Sequence, residues 1–294
     1  MKVYRTEKMK EKIRSSYDTL LHLWGIDVQE LYIDTMYGST HVIESGEEKN
    51  PPLILFHGVG DDSVLMWIYN AAYLSRFFHI YAIDTIGGPG KSVPGPGYNK
   101  EFDDIKWIDQ VLDGLHMQEA FFAGVSHGGY LVQAYALNRP ERMTKGISIS
   151  GAVPVGTKRT PIATMMKIFL PEALFPTKKN VRKLIRKLCG DNYAIFTENE
   201  DIMQHYTFLL KGFNNMAMGY HKVQNFTEQD VDRIREKIVY LVGLDDPFEK
   251  LGGEATLKKY QMQVTFYENA GHGLNHEKAE EINRKIVQIL QQKG

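Results

Sequence analysis

The apolar residues of this chain fall into short runs that alternate with longer segments of helical period. Short runs rich in Val, Ile, Leu and Phe indicate strands, and continuous apolarity indicates a strand buried on both faces. Strands are predicted in this way at residues 53–56, 80–84, 120–123, 145–150, 238–242 and 263–267. Helices are predicted at residues 66–77, 102–115, 130–137 and 277–292. This alternation predicts a mostly parallel sheet with helices on both faces.

The first part of the chain has a different pattern, with a helix and a hairpin before the first buried strand. Residues 8–24 have apolar side chains on one face of an amphipathic helix. Residues 28–36 and 41–44 flank a polar segment at 37–40, which predicts a hairpin. The expected fold class is therefore α/β, with a mostly parallel central sheet that has an antiparallel start.

One long segment interrupts the alternation of strands and helices. It lies between two predicted core strands and contains no clear strand run. Its periodicity predicts helices at residues 164–170, 180–188 and 201–218. We therefore expect a core formed by residues 1–153 and 237–294, and a helical cap formed by residues 154–236.

Composition and charge are those of an ordinary globular protein. The chain has 294 residues, of which 43% are hydrophobic and 24% are charged, and its formal net charge is −1. This balance gives no electrostatic reason to expect a nucleic-acid partner. We see no apolar run of membrane-spanning length and no secretory signal in the first residues, and Cys189 has no second cysteine to pair with. A cytoplasmic location is expected, and the oligomeric state is left open.

The most specific chemical signal is Gly124-Val125-Ser126-His127-Gly128, a G-x-S-x-G sequence between a predicted strand and a predicted helix. A sharp strand-to-helix turn of this kind, the nucleophile elbow, exposes the serine hydroxyl. The flanking glycines are required because side chains there would collide with the neighbouring helix or strand. The helix N-terminus below the turn favours developing negative charge. Ser126 is therefore the candidate nucleophile.

A nucleophilic serine needs a general base, and His272 is the candidate. It follows the last predicted strand, and open α/β sheets place their sites at the carboxyl ends of strands. Small residues on both sides allow the loop to bring the imidazole over the sheet. His276 is the weaker candidate, because it is expected to begin the terminal helix.

The acid that orients the base has two neighbouring candidates, Asp245 and Asp246. The spacing from the preceding strand and from Gly243 favours Asp246. Pro247 also biases the residue before it to an extended conformation. Asp245 better fits a loop acid that caps a helix.

The oxyanion hole requires two backbone N–H groups. One is expected from His127, the residue after the nucleophile. The other is expected from the loop that follows His57, where Val59 lies between two glycines that let the backbone turn an N–H inward.

Taken in order, these motifs resemble the α/β-hydrolase superfamily. They are the His-Gly pair at residue 57, a glycine-rich loop at residues 84–92, the sequence GVSHGG, a helical insertion, G-x-x-D and a Gly-His-Gly triplet. The chain is most similar to capped bacterial carboxylesterase-like members, from about residue 28 to its end. The resemblance implies a triad of Ser126, Asp246 and His272, and an oxyanion hole at Val59 and His127. Residues 84–92 contain one extra residue, and the N-terminal helix is not general to the superfamily.

Three weaker signals are discounted. The segment Gly88-Pro89-Gly90-Lys91-Ser92 suggests a phosphate-binding loop, but the prolines and glycines that follow do not permit the helix that such a loop needs. His272 and His276 are four residues apart without a third ligand, so no metal and no cofactor are expected. The basic helix near residues 178–188 is interpreted as having a solvated charged face rather than a membrane-binding one.

The expected activity is hydrolysis of a small-molecule carboxylic ester through an acyl-enzyme. Amides, thioesters, lactones and activated carbon–carbon bonds pass through the same type of oxyanion, but an ester has the leaving group that is easiest to expel. An aminopeptidase of the proline iminopeptidase type is one alternative, and would use acids of the cap to bind an ammonium group. The cap acids available are Glu172, Glu198, Glu200 and Asp201. A second alternative is a ligand receptor with a hydrolase fold and slow turnover.

Overall fold

One nine-stranded sheet organises the protein. The structure is a computed structural model that describes residues 2–155, 168–170, 172–248 and 253–292. The strands are Gln29–Thr35 (β1), Gly38–Ser45 (β2), Pro52–Phe56 (β3), His79–Ile83 (β4), Val93–Pro94 (β5), Ala120–Val125 (β6), Met143–Ile149 (β7), Ile238–Gly243 (β8) and Gln263–Tyr267 (β9). The main path through the sheet is β1-β2-β4-β3-β6-β7-β8-β9, and β5 pairs with β2.

The pairing confirms the predicted fold class. Strand β2 is antiparallel to β1, β4 and β5, whereas every neighbouring pair from β4 to β9 is parallel. The carboxyl ends of β3, β6, β8 and β9 therefore lie at the same edge of the sheet. The predicted nucleophile, acid and base each follow one of these ends.

Helices cover both faces of the sheet. They are Glu7–His22 (α1), Ser63–Met66 (α2), Ala71–Leu74 (α3), Asp104–Gly114 (α4), His127–Asn138 (α5), Lys178–Leu188 (α6), Ala194–Thr197 (α7), Glu200–Gly212 (α8), Glu228–Ile234 (α9), Gly253–Lys259 (α10), Leu274–Glu277 (α11) and Ala279–Gln291 (α12). Short 3₁₀ turns lie at Pro140–Arg142 and Asn215–Met218. Among the helices of the described ranges, none is both long enough and apolar enough to span a membrane.

The side chains of β3 show how the core divides into two layers. Leu53 and Leu55 point to the layer that contains α1, α2, α3 and α12. Ile54 and Phe56 point to the opposite layer, which contains α4, α5 and α9. All four side chains are fully buried. This is the burial on both faces that the continuous apolar run predicts.

The structure corrects the predicted helix at residues 66–77, which is two short helices. The helix is interrupted between α2 and α3. There Asn70 donates hydrogen bonds to the Asn275 carbonyl at 3.0 Å and to Asn283 Oδ1 at 2.7 Å. The terminal helix is also divided, between α11 and α12 at Lys278. The local sequence pattern carries no information about the long-range hydrogen bonds at the first break. For this reason the pattern overestimates the length of the helix.

The predicted helix at residues 201–218 ends early, at Gly212. The Arg5 N–H donates to the Gly212 carbonyl at 2.8 Å. A Cβ at Gly212 would lie 2.7 Å from Cβ of Met9 in α1. Helix α1 thus packs directly on α8, and Arg5, which lies just before α1, binds the carbonyl at which the longer helix was expected to continue. Residues 164–167 of the first predicted insertion helix lie outside the described ranges.

The predicted hairpin is present with a tighter turn than expected. Only Met36 and Tyr37 separate the two strands, and β2 begins at Gly38, which has φ of +131°. A Cβ at Gly38 would lie 2.3 Å from the Val93 carbonyl oxygen. The short edge strand β5 lies in a segment for which the sequence predicts only a loop. Because β5 approaches β2 so closely at residue 38, that position requires glycine.

Candidate active site

Ser126 occupies a strained turn between β6 and α5. Its backbone has φ of 56° and ψ of −115°, which is uncommon for a residue with a side chain. A Cβ at Gly124 would lie 2.2 Å from the Gly128 carbonyl oxygen, and one at Gly128 would lie 2.5 Å from the Phe56 carbonyl oxygen. The glycines therefore permit the close crossing of strand and helix that presents Ser126 at the edge of the sheet.

His272 and Asp246 are joined by a hydrogen bond. The imidazole Nδ1 lies 2.8 Å from Asp246 Oδ2, and an ionised carboxylate can only accept, so Nδ1 donates. Asp246 Oδ1 accepts the Phe248 N–H at 2.8 Å. The Asp246 side chain is 4% exposed, whereas Asp245 is an exposed residue. Between the two neighbouring aspartates, only Asp246 is buried against the imidazole.

The loop that holds His272 is fixed by a residue that the sequence analysis missed, Glu277. Its Oε1 accepts the Gly271 N–H at 3.0 Å, and its Oε2 accepts the Gly190 N–H at 2.7 Å. The His272 N–H donates to the Leu188 carbonyl at 2.6 Å. Glu277 therefore joins the histidine loop to the end of α6. A glutamate shortly after a candidate base was the only sequence signal for this role.

His276 has a structural environment, in line with its lower rank in the sequence analysis. It is 3% exposed, and its Nε2 lies 2.9 Å from the Leu65 carbonyl oxygen. Burial lowers its pKa to about 4.

Phe248 is a further residue of the site that the sequence did not indicate. Its ring lies 4.3 Å from the His272 ring, centroid to centroid.

The loop after β3 lies against the nucleophile. A Cβ at Gly58 would be 3.3 Å from Ser126 Cβ, and Gly60 has φ of +80°. The Val59 side chain is 54% exposed, while His127 is the first residue of α5 and has an N–H without an intrahelical acceptor. Within the described ranges, the Ser126 hydroxyl makes no hydrogen bond to the protein. The serine–histidine contact and the two oxyanion donors stay predictions.

Asp61 is an unexpected carboxyl group in the same loop. Its Oδ1 is buried and has no hydrogen-bond partner among the described residues. Burial, reinforced by the charge of Asp62, raises the pKa of Asp61 to about 7. The charge of His272 also acts on this carboxyl, with the opposite sign. Asp61 therefore changes its protonation near neutral pH in the same electrostatic environment as the imidazole.

The loop at residues 84–92 serves a structural purpose. The Asp84 carboxylate accepts N–H groups of Ser63 at 3.0 Å and Lys91 at 2.7 Å, and the hydroxyl of Tyr17 at 3.0 Å. A Cβ at Gly90 would lie 2.2 Å from Asp84 Cγ. The Lys91 ammonium contacts carboxylates of α1 and β1. These contacts account for the lysine and glycines that suggested a phosphate site.

One group of described residues brings metal-ligating atoms together. Asp104, His127 and His221 each offer an atom within 4.8 Å of the other two. The pair His272 and His276, for which the sequence predicts no metal, is not part of this group. Burial, together with the charges of His221 and His57, lowers the pKa of His127 to about 3.

The fold and the geometry of the site are those of one class of protein, and comparison with known protein families identifies that class. A family described as "alpha/beta hydrolase fold" matches residues 51–279. The chain therefore belongs to the α/β-hydrolase family, as its motifs predicted.

Carboxylesterases are among the relatives of this chain. Carboxylesterase YbfK of Bacillus subtilis is 28% identical over 283 residues, which cover 94% of this chain and 92% of that protein. The uncharacterized carboxylesterase nap of the same organism is 28% identical over 286 residues, which cover 94% of this chain and 91% of that protein. A crystal structure of naproxen esterase from Bacillus subtilis superimposes with a TM-score of 0.82 at 24% identity, covering 96% of this chain and 98% of that one.

Proposed function

We infer that this protein is a serine hydrolase that cleaves carboxylic esters, with Ser126 as nucleophile, His272 as general base and Asp246 as the orienting acid. The hydrogen bond between His272 Nδ1 and Asp246 Oδ2, at 2.8 Å, is the observation that supports this most directly. The strained elbow at Ser126 supports it independently, and so does the similarity to two carboxylesterases over most of the chain.

The proposed mechanism follows from the proton on Nδ1. With Nδ1–H donated to Asp246, the lone pair of Nε2 is free to accept the proton of the Ser126 hydroxyl as its oxygen attacks the acyl carbon. Asp246 stabilises the imidazolium that forms. The N–H groups of Val59 and His127 bind the oxyanion. His272 then protonates the leaving alcohol and activates the water that hydrolyses the acyl-enzyme.

We further propose that residues 154–236 form the cap that covers this site. Two hydrogen bonds and one close approach join the described part of the segment to loops at the carboxyl edge of the sheet. Leu188 accepts the His272 N–H at 2.6 Å, and His205 Nε2 lies 2.8 Å from Asp62 Oδ2. Asn215 Oδ1 would lie 3.3 Å from a Cβ at Gly60. A segment that touches both the histidine loop and the oxyanion loop is placed to limit access to Ser126.

The acids of the cap give little support to an aminopeptidase. The Glu172 and Glu200 carboxylates form ion pairs with Lys187 and Lys178, respectively. Glu198 and Asp201 are exposed residues. A site for a substrate ammonium would instead need a buried carboxylate that is not already neutralised. The ester hydrolase remains the better supported function.

The test uses para-nitrophenyl esters of increasing chain length beside amino-acyl anilides. The wild type should hydrolyse esters, and Ser126→Ala should lower kcat by about a million-fold, as expected for loss of a triad nucleophile. Ser15→Ala, at an exposed position of α1, is the matched control and should match the wild type. Turnover of anilides without esters would favour the aminopeptidase. Tight ligand binding with no turnover would favour the receptor.

The substrate class and the location of the protein are proposed as well. The substrate is proposed to be a small-molecule ester, in keeping with the names of the two relatives. A cytoplasmic location and the absence of a nucleic-acid partner stay predictions from the sequence.

A further inference from the structure

A second cluster of titratable side chains lies beside the elbow and takes no part in the mechanism above. Asp104 is the first residue of α4, His127 is the first residue of α5, and His221 follows the 3₁₀ turn Asn215–Met218. One ligand atom of each lies within 4.8 Å of the others. Because the three residues are far apart in the sequence, no spacing motif identifies them.

His127 contributes a nitrogen that the protein leaves unpaired. Its Nε2 is buried and has no hydrogen-bond partner among the described residues. A buried polar atom without a partner is costly and calls for an explanation, such as an ion.

His221 is held in the orientation that a metal-binding histidine requires. Its Nε2 lies 2.7 Å from the Ile86 carbonyl oxygen, to which it must donate. Its Nδ1 lies 2.5 Å from Asp104 Oδ1, so both ring nitrogens face oxygen acceptors. Metal-binding histidines commonly donate the second ring N–H to a backbone carbonyl, which fixes the ring and directs the first nitrogen at the cation. A bound cation would replace this hydrogen bond, with Nδ1 and Oδ1 moving apart so that each can bond to the ion.

We propose that Asp104, His127 and His221 bind one divalent transition-metal ion, with Zn²⁺ as the best match. Two imidazole nitrogens and one carboxylate oxygen suit Zn²⁺, whereas Mg²⁺ and Ca²⁺ prefer oxygen ligands alone. Asp104 lines a surface pocket of about 450 Å³, so the carboxylate side of the cluster borders on solvent.

The bound ion has a positioning effect on the elbow. His127 begins α5 directly after Ser126, and His221 belongs to the proposed cap. A cation bonded to both fixes the first turn of α5 relative to the cap segment. The ion does not contact the reacting atoms in this proposal, which is independent of the ester hydrolase function. Its test therefore measures metal binding and not turnover.

The first experiment titrates Zn²⁺ into full-length protein that has been stripped with a chelator, in competition with a chromophoric chelator. The wild type should bind one Zn²⁺ per chain. His221→Gln and Asp104→Asn should each weaken binding by about a hundredfold, since losing even an outer partner of a ligand costs about 10–100-fold. His22→Gln, at an exposed histidine of α1, is the matched control and should bind as the wild type does. No stoichiometric binding by the wild type, or equal binding by folded variants, would overturn the proposal.

A second measurement does not depend on the folding of any variant. X-ray absorption of the zinc-loaded wild type should show two imidazole ligands with Zn–N distances of about 2.0–2.1 Å, and no sulfur. A spectrum with fewer than two imidazoles, or with a sulfur ligand from Cys189, would place the ion elsewhere and contradict the assigned site.

Discussion

At the scale of single residues, the two aspartates after β8 are chemically identical but lie in different surroundings. Asp246 is buried and accepts the His272 Nδ1–H, whereas Asp245 is exposed and its N–H donates to the Ala270 carbonyl at 3.0 Å. The number of residues between Gly243 and the acid also favours Asp246, and so does the proline that follows it. Both of these signals come from the sequence alone. The role of Asp246 as triad acid is therefore a prediction with two independent supports.

Exchanging each aspartate for asparagine separates these roles. Asp246→Asn should lower kcat by about ten-thousand-fold, because an amide can hold His272 in the wrong tautomer. Asp245→Asn should change kcat by less than about threefold, since an exposed charge acts only weakly through solvent. The check is steady-state hydrolysis of a para-nitrophenyl ester by both variants. A crippled Asp245 variant beside a nearly normal Asp246 variant would reverse the assignment.

Asp61 should make the stability of the protein depend on pH. Its native pKa of about 7 lies above the ordinary value of 3.8, so the native state holds this proton more tightly than the unfolded chain does. The contribution of Asp61 to the free energy of unfolding is therefore fully present below about pH 4 and is lost as the pH rises to about 7.

The measurement is the Tm of wild type and Asp61→Asn between pH 4 and pH 8. The Tm of the variant should rise relative to that of the wild type by a few degrees from about pH 4 to pH 7, and then stay level. Asp245→Asn, which removes an exposed carboxylate, should show no such change. A constant difference between variant and wild type would mean that Asp61 titrates normally.

Several residues of the site were beyond sequence reasoning for a common reason. Glu277 and Phe248 owe their roles to contacts made across loops, and Asp61 owes its raised pKa to burial in a loop; no local period or motif marks either feature. Ser126 and His272 stood out because a strand end and glycine-rich neighbours mark them in the sequence itself.

At the scale of elements, the elbow depends on how closely β6 and α5 approach each other. Gly124→Ala should lower the free energy of unfolding by at least about 3 kcal/mol, because its Cβ would overlap backbone atoms that cannot move independently. Gly219→Ala is the control, since its Cβ would meet only one backbone oxygen, at 3.1 Å. Denaturant unfolding of both variants is the measurement. Wild-type stability in Gly124→Ala would show that the elbow can relax.

The proposed cap should influence which acyl chain is accepted. Met216 is 71% exposed, in the 3₁₀ turn beside Asn215, whereas Phe213 and Met218 are buried with Ala217 and would mainly affect stability. Met216→Ser should lower kcat/KM for octanoyl esters about tenfold while sparing acetyl esters, because one large apolar side chain contributes about 1.5–3 kcal/mol when fully buried.

Val93→Ser is the matched control for this prediction, because Val93 is 49% exposed on the edge strand β5. It should leave the ratio of octanoyl to acetyl kcat/KM unchanged. An equal loss on both esters in Met216→Ser would mean that this side chain supports the cap rather than binding the substrate.

Strands were easier to predict from the sequence than helices. The apolar runs located six strands to within a few residues, because burial on both faces leaves a continuous signal. Helix lengths at residues 66–77 and 201–218 were overestimated. The first segment is interrupted by the hydrogen bonds of Asn70, and the second ends where α1 approaches Gly212. Both are long-range contacts.

At the scale of the whole molecule, sheet order brings distant parts of the sequence to one edge. Parallel pairing from β4 to β9 aligns the carboxyl ends after which Ser126, Asp246 and His272 lie. The order of motifs predicted this fold because each motif follows a strand. The described packing of the insertion on that edge could not be predicted, since it depends on contacts such as His205 with Asp62 and Ser16.

The most direct test of the central claim is covalent labelling with a fluorophosphonate, mapped by peptide mass spectrometry. Only a serine activated by a base should react near neutral pH, so one label per chain should appear on Ser126 and ester hydrolysis should stop in proportion. Asp246→Asn should react far more slowly, and Ser126→Ala should not react. A label on another residue, or an unlabelled Ser126 in protein that still hydrolyses esters, would contradict the account.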